Sequence, residues 1–157
     1  MALRNIRYVG DDILTKTCKP VREVTNKIRT LVEDMLETMY DAQGVGLAAP
    51  QVGIRKRIVV IDVTEEQDSP IILINPEIIE SDGSQTGGEG CLSVPNKIGQ
   101  VTRPNYVKVK AYNLDMEEIV LEGEGLLARA FCHEIDHLDG ILYLDKMEGE
   151  LQDVREE

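Results

Sequence analysis

His133-Glu134-Ile135-Asp136-His137 reads H-E-x-x-H. In an α-helix, residues i and i+4 lie one above the other on the same face, so two imidazoles at this spacing can reach one metal ion. The glutamate after the first histidine lies about 100° around the helix. It therefore stands beside the ion, where a base for an activated water belongs. The flanks support a helix. Leu126, Ala130, His133 and His137 follow i, i+4, i+7 and i+11, and Gly140 is placed to end the turn. An amphipathic helix with two partly exposed histidines would carry the same letters. What tips the balance is that the chain has only two histidines, and both stand here.

Working outward, a metal site with two imidazoles needs a third ligand. Three cysteines are available: Cys18, Cys91 and Cys132. Cys18 has no polar companions. Cys132 precedes His133 on the helix and points off its metal-facing side. Cys91 ends a polar, glycine-rich stretch, Ser81 to Gly90, which reads as a long loop, and loops of that length inside a compact domain are usually functional. Cys91 is therefore the chosen third ligand. Two imidazoles and one thiolate leave a fourth tetrahedral position open, the arrangement of a catalytic rather than a structural site.

The rest of the chain supplies a scaffold. Residues 1–24 read as an extended lead-in anchored by Ile6, Val9, Ile13, Leu14 and Val21. From Thr25 to Gln43, Ile28, Leu31, Val32, Met35, Leu36 and Met39 recur at helical spacing, with Gly44 after the end. Gly44-Val45-Gly46-Leu47-Ala48-Ala49-Pro50-Gln51-Val52-Gly53 is small and apolar, with Gln51 its one hydrogen-bonding side chain. It reads either as a buried strand with a turn or as a strand edge that accepts a peptide, its glycines allowing close backbone approach. Ile58 to Val63 and Ile71 to Ile74 are apolar strands, the second closed by Asn75-Pro76. Ile78-Ile79 begins a further short one. Tyr106 to Tyr112 alternates wet and apolar positions, and Ile119 to Leu121 returns as its partner. One early helix, several strands and one late helix predict an α+β fold of mostly antiparallel strands around the metal-binding helix. At 157 residues the expectation is a single catalytic domain over 1–157, with an acidic, flexible tail from about residue 147.

Composition narrows the function. A net charge of -12 and a pI near 4.6 repel phosphate backbones and anionic membranes. No stretch approaches the roughly 18 apolar residues of a membrane span. The first residues lack the apolar core of a signal peptide. An odd set of cysteines without framework spacing suits a reducing compartment, so the expected location is the cytoplasm.

Three stretches together resemble one family. Gly44-Val45-Gly46-Leu47-Ala48-Ala49-Pro50-Gln51 resembles the G-x-G-L-A-A-x-Q motif of peptide deformylases, Glu89-Gly90-Cys91-Leu92-Ser93 their E-G-C-L-S motif, and His133 to His137 their H-E-x-D-H motif. The resemblance covers about Ile6 to Asp145. It implies removal of the N-formyl group from formyl-methionine on nascent polypeptides, with release of formate. It implies Fe(II) as the metal, with zinc, nickel or cobalt able to take its place, held by Cys91, His133 and His137. Glu134 would be general base and acid, and Gln51 with the backbone N–H of Leu92 the oxyanion donors. The peptide would pair with Gly44, Val45 and Gly46. Glu89 and Gly90 belong to the cysteine loop beside it, and Leu126 and Ala130 are candidate pocket walls. Arg129 either meets downstream residues at the mouth or faces solvent. Glu89 and Arg103 are expected to pair, with Arg103 as a plain surface residue the competing reading.

Two departures from the family pattern stand out. Cys132 occupies a position where many members have glutamine. The tail carries Glu148, Glu150, Asp153, Glu156 and Glu157 against only Lys146 and Arg155, which argues against ribosome docking through it and leaves at most transient contact. The competing functions are an H-E-x-x-H metallopeptidase, for which a third His or Glu ligand is more usual, and an inactive metal-stabilised peptide-binding homologue, which would need neither Glu134 nor Gln51.

Overall fold

A computed structural model describes residues 2–154. It is an α+β fold with two α-helices and mostly antiparallel sheets. Helix α1 (Asn26–Asp41) starts at Thr25, whose hydroxyl caps the Ile28 N–H. Helix α2 (Leu126–Leu138) carries the H-E-x-x-H residues. One sheet has the order β1 (Gly46–Ala48), β2 (Ile58–Ile61), β3 (Ile71–Asp82), β6 (Tyr106–Tyr112), β7 (Glu118–Glu124). A second sheet joins β4 (Gln85–Cys91), β5 (Val94–Arg103) and β8 (Glu148–Asp153).

The two helices cover opposite faces of the five-stranded sheet. Strand β2 shows why its sequence is apolar without alternation. Ile58 and Val60 pack with Ile28, Leu31, Val32, Met35 and Met39 of α1. Val59 and Ile61 pack with Ala128, Phe131, Ile135 and Leu138 of α2. A strand buried on both faces has no wet side to mark with polar residues. Burying side chains of this size contributes about 1.5–3 kcal/mol each, so α2 is held firmly over the sheet that carries β1. Its last turn is also tied: the Leu138 carbonyl accepts from Cys18 N (2.7 Å) and from Arg57 Nη1 (3.1 Å), which satisfies a carbonyl the helix end leaves open.

Three expectations are corrected. Asn75-Pro76 does not close a strand: β3 runs through it to Asp82. The register shifts there, and Asn75 takes a positive φ of 52°. A bulge is where a sheet tolerates proline, and the Asn75 amide exchanges two 2.8 Å hydrogen bonds with the Val21 backbone. Ser81 to Gly90 is not a long loop but the end of β3, a short turn and most of β4. Pairing with β5 makes β4 a strand despite its glycines. The acidic stretch from Glu148 to Asp153, expected as part of a flexible tail, forms β8 against β5. Its anchor is Leu151, which packs near Val94, Val101 and Tyr143. The outward acids suit an edge strand that must not recruit another chain. The tail beyond Val154 lies outside the described residues. Among the described residues, no helix is long and apolar enough to cross a membrane.

Candidate active site and metal centre

The site forms where α2 faces β1 and the β4–β5 turn. One turn of α2 separates His133 from His137, and their Nε2 atoms lie 3.2 Å apart. Strand β4 ends by bringing Cys91 Sγ to 3.3 Å from His137 Nε2. The three donor atoms all lie within 4.8 Å of one another. Imidazole nitrogens about 2.0–2.1 Å from a tetrahedral ion are separated by about 3.3 Å, and a thiolate at about 2.3 Å stands slightly farther from them, so the three donors are close enough together to hold one ion. The tautomers fit as well. His133 Nδ1 is held at 2.5 Å by Glu89 Oε1, a carboxylate that only accepts, so the Nδ1 carries a proton and Nε2 is the nitrogen that would give up its proton to hold an ion.

Glu89 anchors more than a histidine. It is buried and also accepts from Arg103 (Nε at 3.2 Å, Nη2 at 2.6 Å) and from Arg129 Nη1 (2.7 Å). Burial by itself would raise its pKa, but the hydrogen bonds and charges of His133 and Arg103 overcome this and hold it at about 2. Arg103 is therefore no surface residue. It is buried, and its Nη1 donates to Asp136 at 2.6 Å, which Lys146 also reaches at 3.0 Å. Arg129 lines the cleft, but its guanidinium is committed to Glu89 and, at 3.5 Å, to Gln85.

Glu134 is buried, with Oε1 lacking any hydrogen-bond partner among the described residues and Oε2 3.8 Å from His133 Nε2. Burial lifts its pKa to about 7, against the opposing pull of His133. A carboxyl poised there can both take and return a proton near neutral pH. Burial would lower the His133 pKa, but Glu134, Cys91 and Glu89 raise it; burial and the neighbouring His133 push His137 down.

Gln51 sits on a 3-10 turn (Ala49–Val52) directly after β1 and is buried. Its Oε1 accepts from Ala48 N at 2.9 Å, so its Nε2 turns the other way. That nitrogen donates to Ser93 Oγ (3.0 Å) and to Cys91 Sγ (3.4 Å). Gly44, Val45 and Gly46, then Gly90 and Leu92, and from α2 Leu126 and Ala130 line the same cleft, about 580 Å³ in volume. Cys18 and Cys132 lie in the core, their thiol pKa values raised by burial, and are packing residues.

Sequence reading overlooked Ser93 and Asp136 as parts of the site. Both stand inside quoted motifs, so the signal was present, but nothing in the letters says what they touch. Ser93 fixes the Gln51 amide, and Asp136 fixes Arg103 and through it Glu89.

A helix presenting H-E-x-x-H to a cysteine from a neighbouring strand, with a buried carboxylate beside these three potential metal donors, is the arrangement of a metallohydrolase. The comparisons narrow that class. The family model described as polypeptide deformylase matches residues 3–152. A peptide deformylase of Lachnoclostridium phytofermentans is 70% identical over 154 residues, spanning 98% of this chain and 94% of that protein. The crystal structure of a peptide deformylase from Legionella pneumophila superposes with a TM-score of 0.90 at 44% identity, over 93% of this chain and 86% of that one. The Thermotoga maritima peptide deformylase structure gives 0.89 at 43%, over 94% and 99%. The chain belongs to the polypeptide deformylase family.

Proposed function

We propose that this chain hydrolyses the N-formyl group from formyl-methionyl nascent peptides, with α2 as its metal-binding helix and Cys91, His133 and His137 as ligands. The observation that carries the reading is the convergence of those three donors beside a buried carboxylate, one oxygen of which has no hydrogen-bond partner among the described residues. Fe(II) is the metal the family resemblance implies; a thiolate with two imidazoles also suits zinc, nickel or cobalt, and zinc binds such ligands more tightly than Fe(II), so supply decides occupancy. When bound, the ion polarises the formyl oxygen and brings the pKa of water in the site from about 16 towards 7.

The protein's own groups do the rest. Glu134 takes the proton of the attacking water and hands it to the departing amine. Gln51 Nε2 and the Leu92 N–H donate to the developing oxyanion, each such donor contributing about 3–4 kcal/mol. The weaker of the two Gln51 contacts, 3.4 Å to Cys91 Sγ, is the one free to turn towards it. Among the described residues, strand β1 pairs only with β2, so its other edge is open to the peptide backbone along Gly44, Val45 and Gly46. Backbone pairing accepts many nascent sequences. Leu126, Ala130 and Gly90 shape the methionine pocket, and Glu89 and Arg129 brace it. The whole chain acts as one catalytic domain in the cytoplasm, visits the ribosome transiently, and binds neither nucleic acid nor membrane.

The test is formate release from formyl-Met-Ala-Ser by anaerobically purified protein, beside Glu134→Gln. Formate from the parent and not from the variant supports the reading. A parent that retains stoichiometric metal yet releases no formate with Fe(II), nickel or cobalt overturns it.

A further inference from the structure

Gly46 lies directly against the Glu134 carboxylate. A Cβ built on Gly46 would stand 2.5 Å from Glu134 Oε2, 2.9 Å from its Cδ and 2.9 Å from its Cγ. The backbone at Gly46 does not itself require glycine. The residue begins an extended strand, paired with Ile61, and its φ is not positive. What excludes a side chain here is the glutamate. Neither element can retreat to make room. Leu47 and Ala48 of β1 are fully buried, and α2 is locked to the sheet by Phe131 and Leu138. Cores this tight transmit an added methyl as displacement rather than absorb it. The displaced group would be the carboxylate.

We propose that Gly46 is a positioning residue for Glu134: the missing side chain on β1 sets where the proton-accepting carboxylate sits. This rests on Glu134 being the base. It differs from the reading in which the glycine exists to let the peptide backbone approach. Peptide pairing uses the strand's N–H and C=O groups, which alanine retains, so the two roles separate kinetically.

The experiment is Gly46→Ala, with kcat and KM measured on formyl-Met-Ala-Ser, metal content, and melting temperature with and without Glu134→Ala. Displacing a reacting group by about 1 Å costs about 100-fold. The expected result is therefore kcat lower by about 100-fold, KM within about twofold, and unchanged metal stoichiometry. Overpacking lowers the melting temperature by several degrees, and that loss should vanish when Glu134→Ala removes the obstructing carboxylate. Gly46→Ala combined with Glu134→Asp, whose acid is one methylene shorter, should recover part of the lost kcat. A preserved kcat with a raised KM overturns the proposal, as does an equal loss of melting temperature in both backgrounds. If Gly46→Ala fails to fold, folding of its Glu134→Ala double variant supports the proposal and failure of both overturns it. Activity surviving Glu134→Gln in the otherwise unchanged chain would overturn the base assignment instead, while the melting cycle still reports whether Gly46 makes room for that side chain.

Discussion

Replacing Glu89 by Gln tests whether the site is held together by one buried charge. Glu89 receives four hydrogen bonds, from Arg103 (two), Arg129 and His133. Its pKa is lowered from 4.5 to about 2 despite burial, which alone would raise it. Two and a half pKa units correspond to about 3 kcal/mol of stability at neutral pH. Glutamine keeps one acceptor oxygen but turns a donor NH₂ towards donors, and leaves two guanidinium groups without their common anion. Breaking a buried charge pair in this way costs about 3–5 kcal/mol. A loss of about 3–4 kcal/mol is expected. The assay is urea unfolding followed by far-UV circular dichroism, in chelator, for the parent and Glu89→Gln. With a slope of about 2 kcal/mol/M, the midpoint should fall by about 1.5–2 M at pH 7. The pH dependence carries the sign. A depressed folded pKa gives stability that is present above 4.5 and is lost as pH falls through about 2. The gap between parent and variant should therefore hold from pH 7 to about 5 and close below 4.5. A gap under about 1 kcal/mol at pH 7, or one that persists undiminished to pH 2, would refute the reasoning.

Three further changes probe separate parts of the molecule. Gln51→Leu should lower kcat by about 10²–10³-fold, as removal of an oxyanion donor does, measured as formate release at saturating peptide; a loss confined to KM would contradict the donor role. Tyr143→Phe should raise stability by about 1 kcal/mol, read as a higher melting temperature, because the Tyr143 hydroxyl is buried without a protein partner among the described residues and desolvating it is unfavourable. Gly140→Ala should destabilise by more than about 2 kcal/mol in a urea titration, since φ is +75° and an added Cβ would lie 2.5 Å from the Thr15 carbonyl oxygen.

The parts of the molecule that the sequence announces are those whose cause is local. His133 and His137 share a face because a helix has 3.6 residues per turn, and the apolar run of β2 is written in its own letters. Elements made by distant partners are hidden. Strand β4 is polar and glycine-rich, and only its ladder with β5 makes it a strand. Strand β8 has one apolar anchor in an acidic run and exists because β5 offers an edge. Strand propensity depends on the neighbouring surface more than on the residue, so composition alone misreads both.

The same argument applies inside the site. Cys91 could be chosen as third ligand because the chemistry of a metal restricts the candidates to a few residue types. No such restriction marks Gly46 as facing a glutamate on α2, or Arg129 as pairing with Glu89. Glu89 on β4 joins Arg103 on β5 to Arg129 and His133 on α2, so the residue before Gly90-Cys91 couples the cysteine's strand to the histidines' helix. Gln51, at the end of the first motif, donates to Ser93 and Cys91, so the three motifs are physically one unit. Cys91 reaches His137 at 3.3 Å only if β4 is fixed relative to α2, and a buried carboxylate with donors from both elements does this with a directionality that apolar packing lacks.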